Sequence, residues 1–114
     1  MNTKKKRTYS HYTKDAAILL GKSIKLGRKA RRLTTSDFAE RVGISRVTLQ
    51  KIEKGDLKCE LGIVLEAAAL AGVPLFSVDP YNDKFTKNLE SVDDKLALLP
   101  KSIHKRKKDI DDDF

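Results

Sequence analysis

The sequence predicts an all-α protein, a small helical domain followed by a separate amphipathic helix, with charged tails at both ends. Three observations carry that prediction. Apolar residues recur at steps of three and four in successive stretches between Asp15 and Leu99. Helix stops stand where those stretches end, at Gly43, at Gly55, at Gly72-Val73-Pro74 and at Pro100. Finally, 35% of the chain is charged and 6% aromatic, and no run approaches the roughly 18 consecutive apolar residues of a membrane span.

Residues 1–14 are polar and hold the run Lys4-Lys5-Lys6-Arg7. They predict a disordered basic arm, because little apolar surface is available to offset the entropy of ordering. Such an arm either follows phosphates or reaches into a minor groove, or is simply a solvated tail. A domain is expected over 15–78. Its first helix starts near Asp15, capped by Thr13 or Asp15. Ile18, Leu20, Ile24, Gly27 and Ala30 or Arg31 approximate its apolar face, and Lys22, Lys25, Lys29 and Arg32 point outward.

The stretch Leu33 to Gly55 holds two short helical patterns that meet at Val42-Gly43-Ile44. Thr34 or Thr35 caps the first, in which Phe38, Ala39 and Val42 line one face. Gly43 is suited to the left-handed conformation that turns the chain. Ser45 caps the second, in which Leu49 and Ile52 face inward with Glu53 close by. Opposite Leu49, at about 100° per residue, lie Val47 and Lys51, flanked by Thr48, Gln50 and Lys54. That outer face has no acidic residue. The arrangement is a helix-turn-helix with a groove-reading second helix. Arg46 is suited to guanine O6 and N7, Val47 to a thymine methyl, and Lys51 to guanine or phosphate. Ser45, Thr48 and Thr35 are suited to phosphate oxygens, and Gln50 sits on the flank of the face.

Beyond a polar loop at 56–60, Leu61, Val64, Leu65, Ala68 and Ala71 or Gly72 predict an Ala-rich scaffold helix. Cys59 reads as a small, semi-buried residue. Leu75 to Val78 is either a strand or an apolar anchor. The segment 79–100 contains Phe85, Leu89, Val92, Leu96 and Leu99 at steps of four, three, four and three, a helix with an apolar stripe to bury. A homodimer interface is the preferred use, and packing on its own domain the alternative. The tail 101–114 runs from basic to acidic, with Ile110 and Phe114 as candidate docking residues in an otherwise solvated end.

Charge divides the chain. Residues 1–58 hold 16 Lys/Arg and 5 Asp/Glu, a net of +11, while residues 59–114 hold 8 and 11, a net of −3. The first half suits a polyanion, and the helix-turn-helix pattern makes double-stranded DNA the expected one. The lone cysteine and the lack of a signal-peptide pattern predict a cytoplasmic protein. His11 and His104 stand apart from Cys59 and from any carboxylate cluster, so no catalytic or metal constellation and no cofactor is expected.

The run Leu33-Thr34-Thr35, Phe38-Ala39, Val42-Gly43-Ile44-Ser45, Thr48-Leu49 and Ile52-Glu53-Lys54-Gly55 resembles the Xre family of lambda-repressor-like helix-turn-helix proteins. The likeness covers roughly Leu20 to Phe76. It implies a five-helix fold that binds a palindromic operator as a homodimer, reading with the second motif helix. Thr35 stands where the family often has Gln, so a side-chain clamp bridging phosphate and the next helix is not implied. Gly72-Val73-Pro74-Leu75-Phe76, Lys95-Leu96-Ala97-Leu98-Leu99-Pro100-Lys101 and the Asp-rich end with Phe114 are similar to HipB-like antitoxins. That similarity implies a repressor of its own operon with a HipA-like Ser/Thr kinase toxin as partner. The alternatives are a stand-alone Xre-type regulator and a protein-interaction adaptor.

Overall fold

The structure, a computed structural model, describes residues 7–76 and 84–103. Among them it is all-helical: α1 (His11–Ala30), α2 (Thr35–Val42), α3 (Arg46–Glu53), α4 (Leu61–Leu70) and α5 (Lys84–Ala97). The chain forms two compact units, Met1–Leu75 with α1 to α4 and Phe76–Phe114 with α5. No helix among the described residues is long and apolar enough to cross a membrane.

In the first unit α2 packs on α3 and α4, and α1 packs on α3 and α4. Ile24, Phe38, Ala39, Leu49, Ile52, Ala67, Ala68 and Ala71 form the core, bordered by Leu20, Leu33, Val42, Ile44, Cys59, Ile63, Val64 and Val73. The inward residues expected for α2 and α3 are therefore the core residues.

Two expected faces hold at Ile24 and at Ala68 and Ala71 but are displaced elsewhere. Helix α1 begins at His11, not near Asp15, because the Ser10 hydroxyl accepts from the Thr13 amide at 3.2 Å. Its buried face is Gly21, Ile24 and Arg28, whereas Ile18, Ala30 and Arg31 are exposed. In α4, Leu61 and Leu65 are exposed while Ala67, Ala68 and Ala71 are buried. The reason in both cases is close backbone approach. A Cβ on Gly21 would collide with the carbonyl oxygens of Ile52 and Glu53, and one on Gly27 with that of Ala71. Glycine and alanine thus mark the points of closest approach, with Ile24 and Arg28 buried between them on α1, while Ile18, Leu61 and Leu65 lie to the side.

Arg28 is buried and bonded on every side. Its Nε donates to Glu53 Oε2 at 2.8 Å, Nη2 to Glu53 Oε1 at 3.1 Å, and Nη1 to the Leu33 carbonyl at 2.8 Å. The Leu33 amide in turn donates to the Arg28 carbonyl at 3.2 Å. Both side chains of the pair are 7% exposed. The sequence reading places Glu53 near the inner face but does not identify its partner.

In the segment after α4, Leu75 and Phe76 are exposed and form no strand; residues 77 and 78 lie outside the described residues. Helix α5 spans most of the expected amphipathic segment. Leu98 and Leu99 donate to the Lys95 and Leu96 carbonyls and close its last turn before Pro100.

Arg28→Ala leaves the Glu53 carboxylate buried without its counter-ion, and is expected to lower stability by about 3–5 kcal/mol. Replacing both residues by Met and Leu is expected to cost much less. Urea unfolding followed by far-ultraviolet circular dichroism measures both.

Candidate nucleic-acid interface

The turn between α2 and α3 is built from local hydrogen bonds. Gly43 adopts φ +87°, its amide donates to the Ala39 carbonyl at 2.9 Å, and the Ile44 amide donates to the same oxygen at 3.0 Å. An L side chain is strained at this φ, while no atom lies within 4 Å of an added Cβ, so the need for glycine here is conformational and not steric. Ile44 then packs against the core and fixes the corner.

Helix α3 starts on Ser45, whose Oγ accepts the Thr48 amide at 3.0 Å and donates to Thr48 Oγ1 at 2.9 Å. This relay leaves the Thr48 hydroxyl proton available to an outside acceptor such as a phosphate oxygen. Thr34, rather than Thr35, caps α2, accepting the Asp37 amide at 3.0 Å. Thr35 is the first residue of α2 and is half-buried.

Leu49 and Ile52 are buried, which turns the opposite side of α3 to solvent. Arg46, Val47, Gln50, Lys51 and Ser45 are exposed, Val47 at 58%, and Thr48 is half-buried at the edge. Glu53 is the only carboxylate on this helix, and Arg28 holds it on the inner side. The outward face is consequently cationic and apolar without an acid. Arg41, Lys54 and Lys58 are exposed nearby in sequence.

Cys59 does not belong to this surface. It packs partly against the core, and burial, aided by Asp56 and opposed by Lys51, pushes its thiol above its ordinary value. A raised pKa keeps the sulfur protonated at neutral pH and unreactive. Among the described residues no group of three or more His, Cys, Asp or Glu could hold a metal ion.

Two arginines brace the domain behind the interface, Arg28, which the sequence reading did not name, and Arg31, which it placed only on the apolar face. Arg28 holds the end of α3, and Arg31 Nη1 donates to the Ala71 carbonyl at 2.8 Å, holding the end of α4. The signal for Arg28 was its place one turn after Ile24 and two after Gly21, a spacing obscured by running the face from Ile24 through Gly27 to Ala30 or Arg31.

Two of the expected contact sets lie elsewhere. Leu89, Val92 and Leu96 on α5 and Leu99 just beyond its end are all more than half exposed. The side chain of Phe85 lies outside what the structure describes, and Ile110 and Phe114 lie outside the described residues.

A sharp glycine turn, a capped second helix and an acid-free outward face define a DNA-binding helix-turn-helix protein. The family profile described as helix-turn-helix domain matches residues 19–76, just over half of the chain, and the chain belongs to that family, of the Xre/Cro-like type. No curated protein and no solved structure matches the chain.

Proposed function

We propose that this chain is a sequence-specific transcriptional repressor that binds a palindromic operator as a homodimer, and that it is the HipB-like antitoxin of a type II toxin–antitoxin operon. The observation that carries the DNA half of this reading is the outward face of α3, exposed over Arg46, Val47, Gln50 and Lys51 and cleared of its one carboxylate by Arg28. Arg46 reads guanine from the first turn, Val47 meets a thymine methyl, and Lys51 donates to guanine or to phosphate. Ser45, Thr48 and Thr35 hold phosphate oxygens and fix the register, and Gln50 lies at the margin of the reading set. Two such helices in a dimer enter successive major grooves roughly 34 Å apart.

Helix α5 supplies the dimer contact in this reading. The stripe of Leu89, Val92 and Leu96 on α5, extended by Phe85 before them and by Leu99 just past the helix end, repeats in sequence at steps of four and three, the pattern by which paired helices interlock. The exposure of the four described residues supports a partner for them.

The antitoxin assignment rests on the likeness of 72–76, 95–101 and the Asp-rich end to HipB-like proteins. In that assignment Ile110 and Phe114 dock on a HipA-like kinase, and the complex represses the operon that encodes both proteins.

Arg46→Ala is expected to weaken operator binding by about 1–3 kcal/mol and to relax preference at one base pair, measured by titrating operator and single-base variants. An unchanged affinity and base preference removes Arg46 from the reading set. Leu96→Asp is expected to convert the dimer to monomer in sedimentation equilibrium; a retained dimer refutes the α5 interface. Deleting residues 109–114 is expected to abolish co-purification of a co-expressed kinase toxin while leaving operator affinity intact. Equal recovery of the toxin refutes the tail as its docking segment.

A further inference from the structure

We propose that the outer face of α1 is a self-association surface on which α1 of a second copy of this chain packs antiparallel. This surface is distinct from the α3 reading face and from the α5 stripe. Its outward residues are Tyr12, Ala16, Leu19, Ser23, Leu26 and Ala30, at steps of four, three, four, three and four, all exposed except Ser23, which is half-buried. At about 100° per residue these six fall within an arc of about 80°, on the side of α1 opposite Gly21, Ile24 and Arg28, which face the core. Tyr12 is 82% exposed, Leu19 67% and Leu26 71%. A seam with this repeat and no cover within its own unit is the pattern of a helix awaiting another helix.

The order of sizes along the seam identifies the occupant. Large residues stand at 12, 19 and 26, and small ones at 16, 23 and 30. A two-fold axis at the level of Gly21 places Tyr12 opposite Ala30 of the second copy, Leu19 opposite Ser23, and Leu26 opposite Ala16. Every pair joins a large side chain to a small one, so the two seams interdigitate. Parallel pairing in register would set large on large and small on small, leaving voids at the small levels.

Charge favours the same arrangement. Asp15 and Lys29 lie on one flank of the seam, and only the antiparallel arrangement brings Asp15 of each copy beside Lys29 of the other. Lys22 meets its own counterpart near the axis, and its long stem carries the ammonium outward to water. The six seam residues span about 27 Å of helix. One helix pair of that length buries less than the roughly 1,200–2,000 Å² of a stable interface. The contact therefore acts between molecules already held close, such as neighbours on one duplex.

The test uses the full chain with Cys59→Ala, carrying either Leu19→Cys or Ser23→Cys, mixed under oxidising conditions without DNA at concentrations up to on the order of 1 mM. The expected product is the mixed 19–23 disulfide, since that pairing alone brings the two Cβ atoms within bonding range. Products dominated by 19–19 and 23–23 disulfides overturn the antiparallel arrangement. Cross-linking no greater than that of a Lys14→Cys control overturns the surface. In a second measurement, Leu19→Glu is expected to abolish the cooperativity of binding to two adjacent operators while leaving single-operator affinity and helix content unchanged. Retained cooperativity counts against the proposal. The cross-linking arm contains no DNA, so its outcome is separable from that of the repressor reading.

Discussion

Arg28 is placed where three segments of backbone meet, and the geometry of the first unit depends on its guanidinium. One edge grips the Glu53 carboxylate through two donors, and the remaining nitrogen holds the Leu33 carbonyl. The end of α1, the turn into α2 and the end of α3 are thereby tied to one planar group. A buried ion pair of this kind adds little net stability, because desolvation of both charges offsets most of their attraction. Its bidentate geometry does fix position. With Gly21 lying directly under the last carbonyls of α3, the angle and depth of that helix are set from behind, by residues that face away from its outward surface.

This division of labour explains why α3 can be short and still hold its place. Eight residues make an unstable helix in isolation. Leu49 and Ile52 anchor its inner side, the Ser45 cap satisfies its first turn, and Arg28 secures its last residue. The outward positions are then free of any structural duty, and their side chains can be chosen for recognition alone.

The all-α class and the motif at Leu33 to Gly55 were legible in the sequence because glycine, cap residues and apolar spacing all act locally. Phe38, Leu49 and Ile52 declared their faces by size. The faces of α1 and α4 were harder to read: Ile24, Ala68 and Ala71 were placed inward correctly, but Gly21, Arg28 and Ala67 are buried beside them, and the rule that large apolar residues go inward pointed also to Ile18, Leu61 and Leu65. Arg28 was hidden for a different reason. A buried arginine looks like any other cation in a basic helix until the carboxylate 25 positions away is known to face it. The start of α1 at His11 was masked by the polar residues around the Ser10 cap. Of the outward face of α3, the acid-free character was legible from angular position alone, whereas the disposal of Glu53 required the fold.

The two arginines on α1 also have a consequence for the field around the domain. A helix carries partial negative charge at its last carbonyls and partial positive charge at its first amides. Helix α1 lies across the carbonyl ends of α3 and α4 and brings a guanidinium to each, Arg28 beside Glu53 at one and Arg31 on the Ala71 carbonyl at the other. The carbonyl end of α4 is thus met by a guanidinium, the negative charge of Glu53 at the end of α3 is cancelled by Arg28, and the positive pole of α3 stays at the exposed Ser45 end. Part of the attraction that the reading helix offers a phosphate chain therefore comes from the orientation of its peptide groups, and would persist if its surface side chains were replaced by neutral ones.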